Sequence, residues 1–384
     1  MASLQRAHKQ YLPIPLHSPN EGVAHFTDAA SPELLWAILR ARIEVPKRAS
    51  ALFEDTQGDR DLLIKQLRNL VRQGWNYYVA ASAVPGSSSA LLYYYAALNL
   101  AKAELLRVDA RAVMAREMGH GLSFRRPKAG GVVSGGLVVR KGVFSMLYEA
   151  RTGLTIAPGT YLPFKGLIGG VPEVGWEILH IGAATPTVLP VVSTVVSDAA
   201  STWGELAIVP QNMLDELSDL RDLVEASYEE VDTSNFDWRQ LFAISRRSYV
   251  GVSVWQERVP IRRDPDPAQF GAAIEAACTR MWTQLSPHIS SSTDPGADGH
   301  LFATLDGAPG VILPPCLARY AAIYYLSSVV RYRPDLLDDR DSAEESWLCD
   351  RVSKETALPL LIDAVSGIER TTYVFRSAAA GART

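Results

Sequence analysis

The chain has 384 residues, of which 47% are hydrophobic and 21% charged, with a net charge of −4. That length leaves room for roughly two to three domain-sized units and a sizeable buried core. The near-balanced charge excludes a whole-chain polycation, so any nucleic-acid contact has to come from a local basic patch.

The first residues, MASLQRAHKQYLPIP, lack the apolar stretch of a secretory signal. Ser31-Pro32-Glu33 is a helix start, with a hydroxyl cap, proline at the first helical position and an acid in the first turn. Leu34, Leu35, Ile38, Leu39 and Ile43 follow at helical spacing. A second helix is predicted from about residue 58, with Leu62, Leu63, Leu67, Leu70 and Val71 on one face, running on through NYYVAAS. Pro85-Gly86 breaks the chain, and SSSALLYYYAALNLAKAELL is a third helix, apolar nearly all round and therefore placed inside a bundle. A short helix over 109–118 leads into Gly119-His120-Gly121.

From about residue 129 the texture changes. AGGVVSGGLVVRKGVFSMLYEARTGLTIAPGTYLP is rich in glycine and β-branched residues and reads as strands and turns. TPTVLPVVSTVVSD and SYVGVSVWQERVPI are two more strands, separated by an acidic helix over 210–229. A helix over 267–285 precedes the loop SPHISSSTDPGADGH, and helices return over 315–332, 342–350 and 353–369. The fold expected is α+β and mainly α. A helical bundle is built from an N-terminal region (1–129) and a C-terminal region (261–384) packing on it, with a mixed α/β insert over 130–260. The longest apolar runs are too short to cross a bilayer, so the expectation is a cytoplasmic protein with no membrane partner.

Candidate chemistry sits in two places. The apolar helix ending in YYLSSVVRYRPD closes on Arg331 and Arg333, where Pro334 forces the preceding residue out of the helical region. Cations there complement the helix dipole and bond free carbonyls. Yet Tyr324, Ser327 or Ser328, and Arg331 share one face, and a polar stripe on a core helix needs partners. The arginines are thus either part of a structural network or ligand-binding, with Tyr324 beside them. The second place is REMGHGLSFRRPK. His120, set between glycines, reads as a general acid/base in a loop, with Arg116 beside it and Arg125, Arg126 and Lys128 as an anion- or RNA-binding patch. The competing reading is a solvated loop. There is no phosphate-binding P-loop, no G-x-S-x-G elbow and no H-E-x-x-H, and the three cysteines, Cys278, Cys316 and Cys349, lack C-x-x-C spacing. Neither a metal nor a cofactor is expected, and the cysteines fit a reducing compartment.

The stretches SALLYYYAALNLAKAELL, GHGLSFRRPK with VVRKGVFS, and PPCLARYAAIYYLSSVVRYRPDLL resemble, in order and spacing, the YaaC-like family of bacterial proteins, across roughly 30–375. The first helical part also resembles the HEPN group of small helical bundles, whose ribonuclease members carry Arg and His four to six residues apart on one helix face. Here the nearest pairs, Arg116–His120 and Arg280–His288, miss that spacing. With no catalytic signature, the polar stripe and the basic loop point to a non-enzymatic helical component that binds a partner protein, a second copy of itself, or a nucleotide or RNA, in stress response or antiviral defence. The alternative is an RNA-directed nuclease using His120 with a nearby arginine.

Overall fold

In the computed structural model the Ser31 hydroxyl caps the first helix, accepting from the Leu34 N–H at 3.2 Å, with Pro32 at the first helical position. The structure describes residues 10–375 apart from 15, 55, 57–58, 116–117, 128–130, 199, 209–210, 232–251, 263–268, 294–296 and 339–342. The fold is α+β and mainly α. The chain divides into two units: 1–29, 187–303 and 371–384 form one, 30–186 and 304–370 the other. These boundaries replace those expected at 129/130 and 260/261. The change of texture near 129 marks strands laid down inside the helical unit, and the strands of the large sheet, β1 apart, come after 187.

The first unit opens with β1 (Gln10–Pro13) and β2 (Gly22–Phe26). The second unit follows with α1 (Pro32–Glu44), α2 (Pro46–Ala51), α3 (Arg60–Ser82), α4 (Ser89–Leu105) and α5 (Ala110–Met114). It continues through β3 (His120–Arg125), β4 (Gly136–Gly142), α6 (Val143–Thr152), β5 (Tyr161–Pro163), α7 (Phe164–Gly169) and α8 (Gly175–His180). The chain then returns to the first unit for β6 (Val188–Ser197), β7 (Ser201–Ile208), α9 (Gln211–Glu216), α10 (Ser218–Ser227) and β8 (Tyr228–Glu230). Next come β9 (Ser253–Glu257), β10 (Ile261–Arg262), α11 (Phe270–Leu285), β11 (Ile289–Ser291) and β12 (Gly299–Phe302). The second unit resumes with α12 (Pro315–Tyr332), α13 (Asp335–Asp338), α14 (Ala343–Glu355) and α15 (Ala357–Glu369), and β13 (Thr371–Phe375) closes the first.

In the first unit, among the described residues, one antiparallel sheet runs β11-β12-β6-β7-β9-β8, with β1 joined to β6 and β10 to β7. Leu189, Val191, Leu206, Trp255, Met281 and Leu285 bury one face of this sheet with α11. β2 and β13 pair in parallel. The segment expected as the loop SPHISSSTDPGADGH holds β11 and the start of β12, whose residues pair from Ile289↔Leu301 to Ser291↔Gly299.

In the second unit α4 packs against α3 and α12, and the Tyr94 ring meets those of Tyr320 and Tyr324 at centroid distances of 6.0 and 4.9 Å. VFSMLYEART, expected among strands and turns, is the helix α6. Its Val143, Phe144, Leu147 and Tyr148 fall on one buried face, and Gly153 at φ 69° ends it in the left-handed region. Among the described residues no helix is long and apolar enough to cross a membrane.

Candidate functional site

α12 is buried at every position from Leu317 to Val329, so each polar group on it has to find a partner inside the protein. Tyr320, Tyr324, Ser328 and Arg331 recur along one side of it. The Ser327 and Ser328 hydroxyls turn back on their own helix and donate to the Tyr324 carbonyl at 2.8 and 3.0 Å. The Tyr324 hydroxyl instead leaves the helix and donates to the Leu122 carbonyl at 2.9 Å, tying α12 to β3.

That bond brings the start of β3, and with it His120, against the aromatic cluster. The local backbone depends on two glycines. Gly121 has φ +82° and Gly142, paired with His120, has φ +150°. A Cβ on Gly121 would come within 2.7 Å of the Phe144 nitrogen, and one on Gly142 within 2.4 Å of the Gly119 oxygen. Only residues without side chains allow the two strands to cross this closely. His120 is therefore the half-buried first residue of a strand. The exposed loop histidine expected from its glycine neighbours is corrected by this geometry.

The His120 ring is held from α4. The Tyr94 hydroxyl, on a side chain with no solvent exposure, lies 2.6 Å from Nδ1. Burial raises the Tyr94 phenol well above its ordinary pKa, so it stays protonated. Burial also lowers the imidazole pKa, and the positive charges of Arg331 and Lys102 lower it further. His120 is thus held toward its neutral form, with two cations near enough to act on its charge.

The Arg331 guanidinium donates from Nε to the Ser327 carbonyl at 3.2 Å, stands 3.5 Å from the Ser328 hydroxyl, and lies 5.1 Å from the centre of the Tyr332 ring. Among the described residues neither Arg331 nor Lys102 has a carboxylate partner. Cations left unpaired at a half-buried point are suited to an anion supplied from outside.

The other residues singled out from the sequence fall elsewhere. Arg333 does not join Arg331: its guanidinium forks onto Asp335 at 2.7–3.0 Å at the exposed helix end, which already supplies its counter-charge. Arg125 and Arg126 are exposed at the far end of β3, roughly 16 Å along the strand from His120 at the usual rise per residue. The basic patch expected around His120 is thereby drawn out along the strand. Arg116 and Lys128 lie outside the described residues. No group of three or more His, Cys, Asp or Glu suited to a metal occurs among the described residues.

Tyr94, Lys102 and Tyr320 were missed from the sequence. The YYY run reads as core, which it is, and nothing in it marks the middle hydroxyl as bonded to a histidine 26 positions on. Also unforeseen is a buried charge network in the same unit. Arg319, 2% exposed, makes a two-bond fork to Glu173 at 2.9 and 2.5 Å and a further bond to Asp363 at 2.7 Å. Arg151 bonds Glu104 and the Asp363 carbonyl, each at 2.7 Å. Every charge in this second cluster is matched, and its role is to hold α4, α6, α12 and α15 together.

A family model described as YaaC-like protein matches residues 63–352, roughly three quarters of the chain. No curated protein and no solved structure matches it.

Proposed function

The chain belongs to the YaaC-like protein family, and from that premise we propose that it is a non-enzymatic helical component that binds a phosphate-bearing ligand of nucleotide or RNA type at His120, Lys102 and Arg331. The observation that supports this most is the pair of cations without a carboxylate partner among the described residues, close enough to a half-buried imidazole to lower its pKa. A structural network would have matched them, as the Arg319 cluster is matched. Exposed Arg125 and Arg126 extend positive charge along β3 for a longer polyanion. Fluorescence anisotropy with a labelled single-stranded RNA tests the reading. Wild type binds with an affinity that falls as salt rises, since phosphate contacts release counterions, and Lys102→Gln weakens it. Salt-independent binding, or equal binding by the variant, overturns the reading.

The second reading, an RNA-directed nuclease with a HEPN-like bundle, is favoured by one observation: Arg331 stands close enough to His120 to shift its titration. Under it, purified protein cleaves RNA and His120→Ala abolishes cleavage. Under the binding role proposed, which belongs to a setting such as stress response or antiviral defence, incubation leaves the RNA intact.

A further inference from the structure

Two buried hydroxyls and one half-buried imidazole meet at the His120 site, and the positions of their protons decide what the site offers a ligand. The Tyr94 hydroxyl has one side-chain hydrogen bond at regular geometry, to Nδ1 of His120 at 2.6 Å. Beside it stands the Tyr320 hydroxyl, on a side chain 3% exposed, which has no partner at regular hydrogen-bond geometry and interacts with the Tyr94 hydroxyl. Buried O–H groups have to donate to something. If Tyr320 donates towards Tyr94 and Tyr94 donates to His120, every proton in the chain has an acceptor. Reversing the direction leaves the Tyr320 proton pointing at nothing. The forward direction also sets the stronger acid of the central pair, the phenol, to donate to the better acceptor, the imidazole nitrogen. At the other side of the ring, Nε2 has no protein partner among the described residues and is not enclosed.

We infer that Tyr94 is a positioning residue that fixes His120 as its Nε2–H tautomer, so that the ring meets a bound phosphate as a neutral hydrogen-bond donor between Arg331 and Lys102. The ligand part of this rests on the anion-binding reading above; the tautomer does not. The Tyr94 hydroxyl from α4 bonds the ring and Tyr324 from α12 lies against it, and the charges of Arg331 and Lys102 are near enough to lower its pKa. Tyr324 donates its proton to the Leu122 carbonyl and does not compete for the ring. With its open nitrogen already protonated, His120 is no general base for attack on RNA, which separates a binding site from a nuclease by the place of one proton.

Nitrogen-15 NMR of the histidine rings in the ligand-free protein at pH 7.5 reads this directly, with His120→Gln giving the assignment. The expected spectrum has an unprotonated Nδ1 and a protonated Nε2. In Tyr94→Phe, which keeps the ring and removes the hydroxyl, the two nitrogens move toward averaged values as the tautomers mix. A protonated Nδ1 with a bare Nε2 in wild type overturns the inference, as does an unchanged tautomer in Tyr94→Phe. Titration with inorganic pyrophosphate supplies the second arm. Tyr94→Phe weakens binding by about 2- to 10-fold at pH 7.5, the range for one neutral hydrogen bond. The difference closes at low pH, where both ring nitrogens carry protons. Because the tautomer is read without ligand, a wrong tautomer with intact pyrophosphate binding rejects this inference alone. A correct tautomer with no pyrophosphate binding rejects the anion site.

Discussion

Arg319 and Glu173, 146 positions apart in sequence, close a two-bond fork inside the helical unit, and Asp363 takes a third N–H of the same guanidinium. Burial alone would push the Arg319 pKa down, and the two carboxylates more than reverse that, so the arginine stays charged. Removing it strands two acids at a buried point. We predict that Arg319→Ala lowers unfolding stability by about 3–5 kcal/mol. Urea unfolding followed by circular dichroism checks it, and a loss below about 1 kcal/mol would contradict the network's role.

Arg331 behaves in the opposite way. It is half-buried, its bonds go to its own helix, and no carboxylate depends on it among the described residues. The fully buried, acid-paired guanidinium on this helix is that of Arg319. Arg331→Ala is predicted to cost under about 1 kcal/mol, the scale of a cation at a helix end, while removing most RNA binding. Arg331→Lys keeps the charge and retains part of the binding. Melting curves and anisotropy on the same samples separate the two effects.

His120 links the site to pH. Its folded pKa lies below its ordinary value of 6.5, chiefly through burial and then through Arg331 and Lys102. The unfolded chain therefore takes up a proton that the native ring refuses. The sign follows: this contribution to stability is fully present above about pH 6.5 and is lost as pH falls toward the folded pKa. Comparing wild type with His120→Gln across pH 5–8, the variant is predicted to lack that part of the acid-side decline.

Asp298 in the sheet unit has the reverse sign. Burial lifts its carboxyl to about 6, against the partial offset of the Ser193 N–H bonded at 2.8 Å. The native state keeps a proton that the unfolded chain has released, so stability falls as pH rises from about 3.8 to about 6. Asp298→Asn keeps an acceptor for Ser193 and removes the charge. It is predicted to be more stable than wild type at pH 7 by about 1–3 kcal/mol, with the difference vanishing below about pH 4.

What was legible in the sequence is what neighbouring residues decide. Ser31-Pro32 starts α1, and Pro334 ends α12 at Arg333, because caps and proline sterics act within a turn. The apolar circumference of α4 and α12 placed both in the interior. Illegible were the pairings set by the fold. The Tyr94–His120 bond, the Arg319 fork and the Tyr324–Leu122 tie join residues 26, 146 and 202 positions apart, and no spacing rule connects such partners. Gly119 and Gly121 were read as freedom for a loop around His120. A Cβ on Gly119 would meet nothing, whereas Gly121, together with Gly142, lets β3 and β4 lie close without a Cβ between them. The interleaving of the two units was hidden for a related reason: segments of each alternate along the chain, and composition reports only the local element.

In the binding role proposed, Lys102 and Arg331, which have no carboxylate partner among the described residues, receive a phosphate. Calorimetric titration of a nucleoside triphosphate and of a short single-stranded RNA into wild type and into Lys102→Gln/Arg331→Gln, at low salt, measures this. Wild type is expected to bind at least one of these ligands saturably. The double variant is expected to lose about tenfold or more in affinity, the scale of removing charge-assisted bonds, with its melting temperature nearly unchanged. Equal affinity in the two proteins, or no binding of either ligand by wild type, would contradict it.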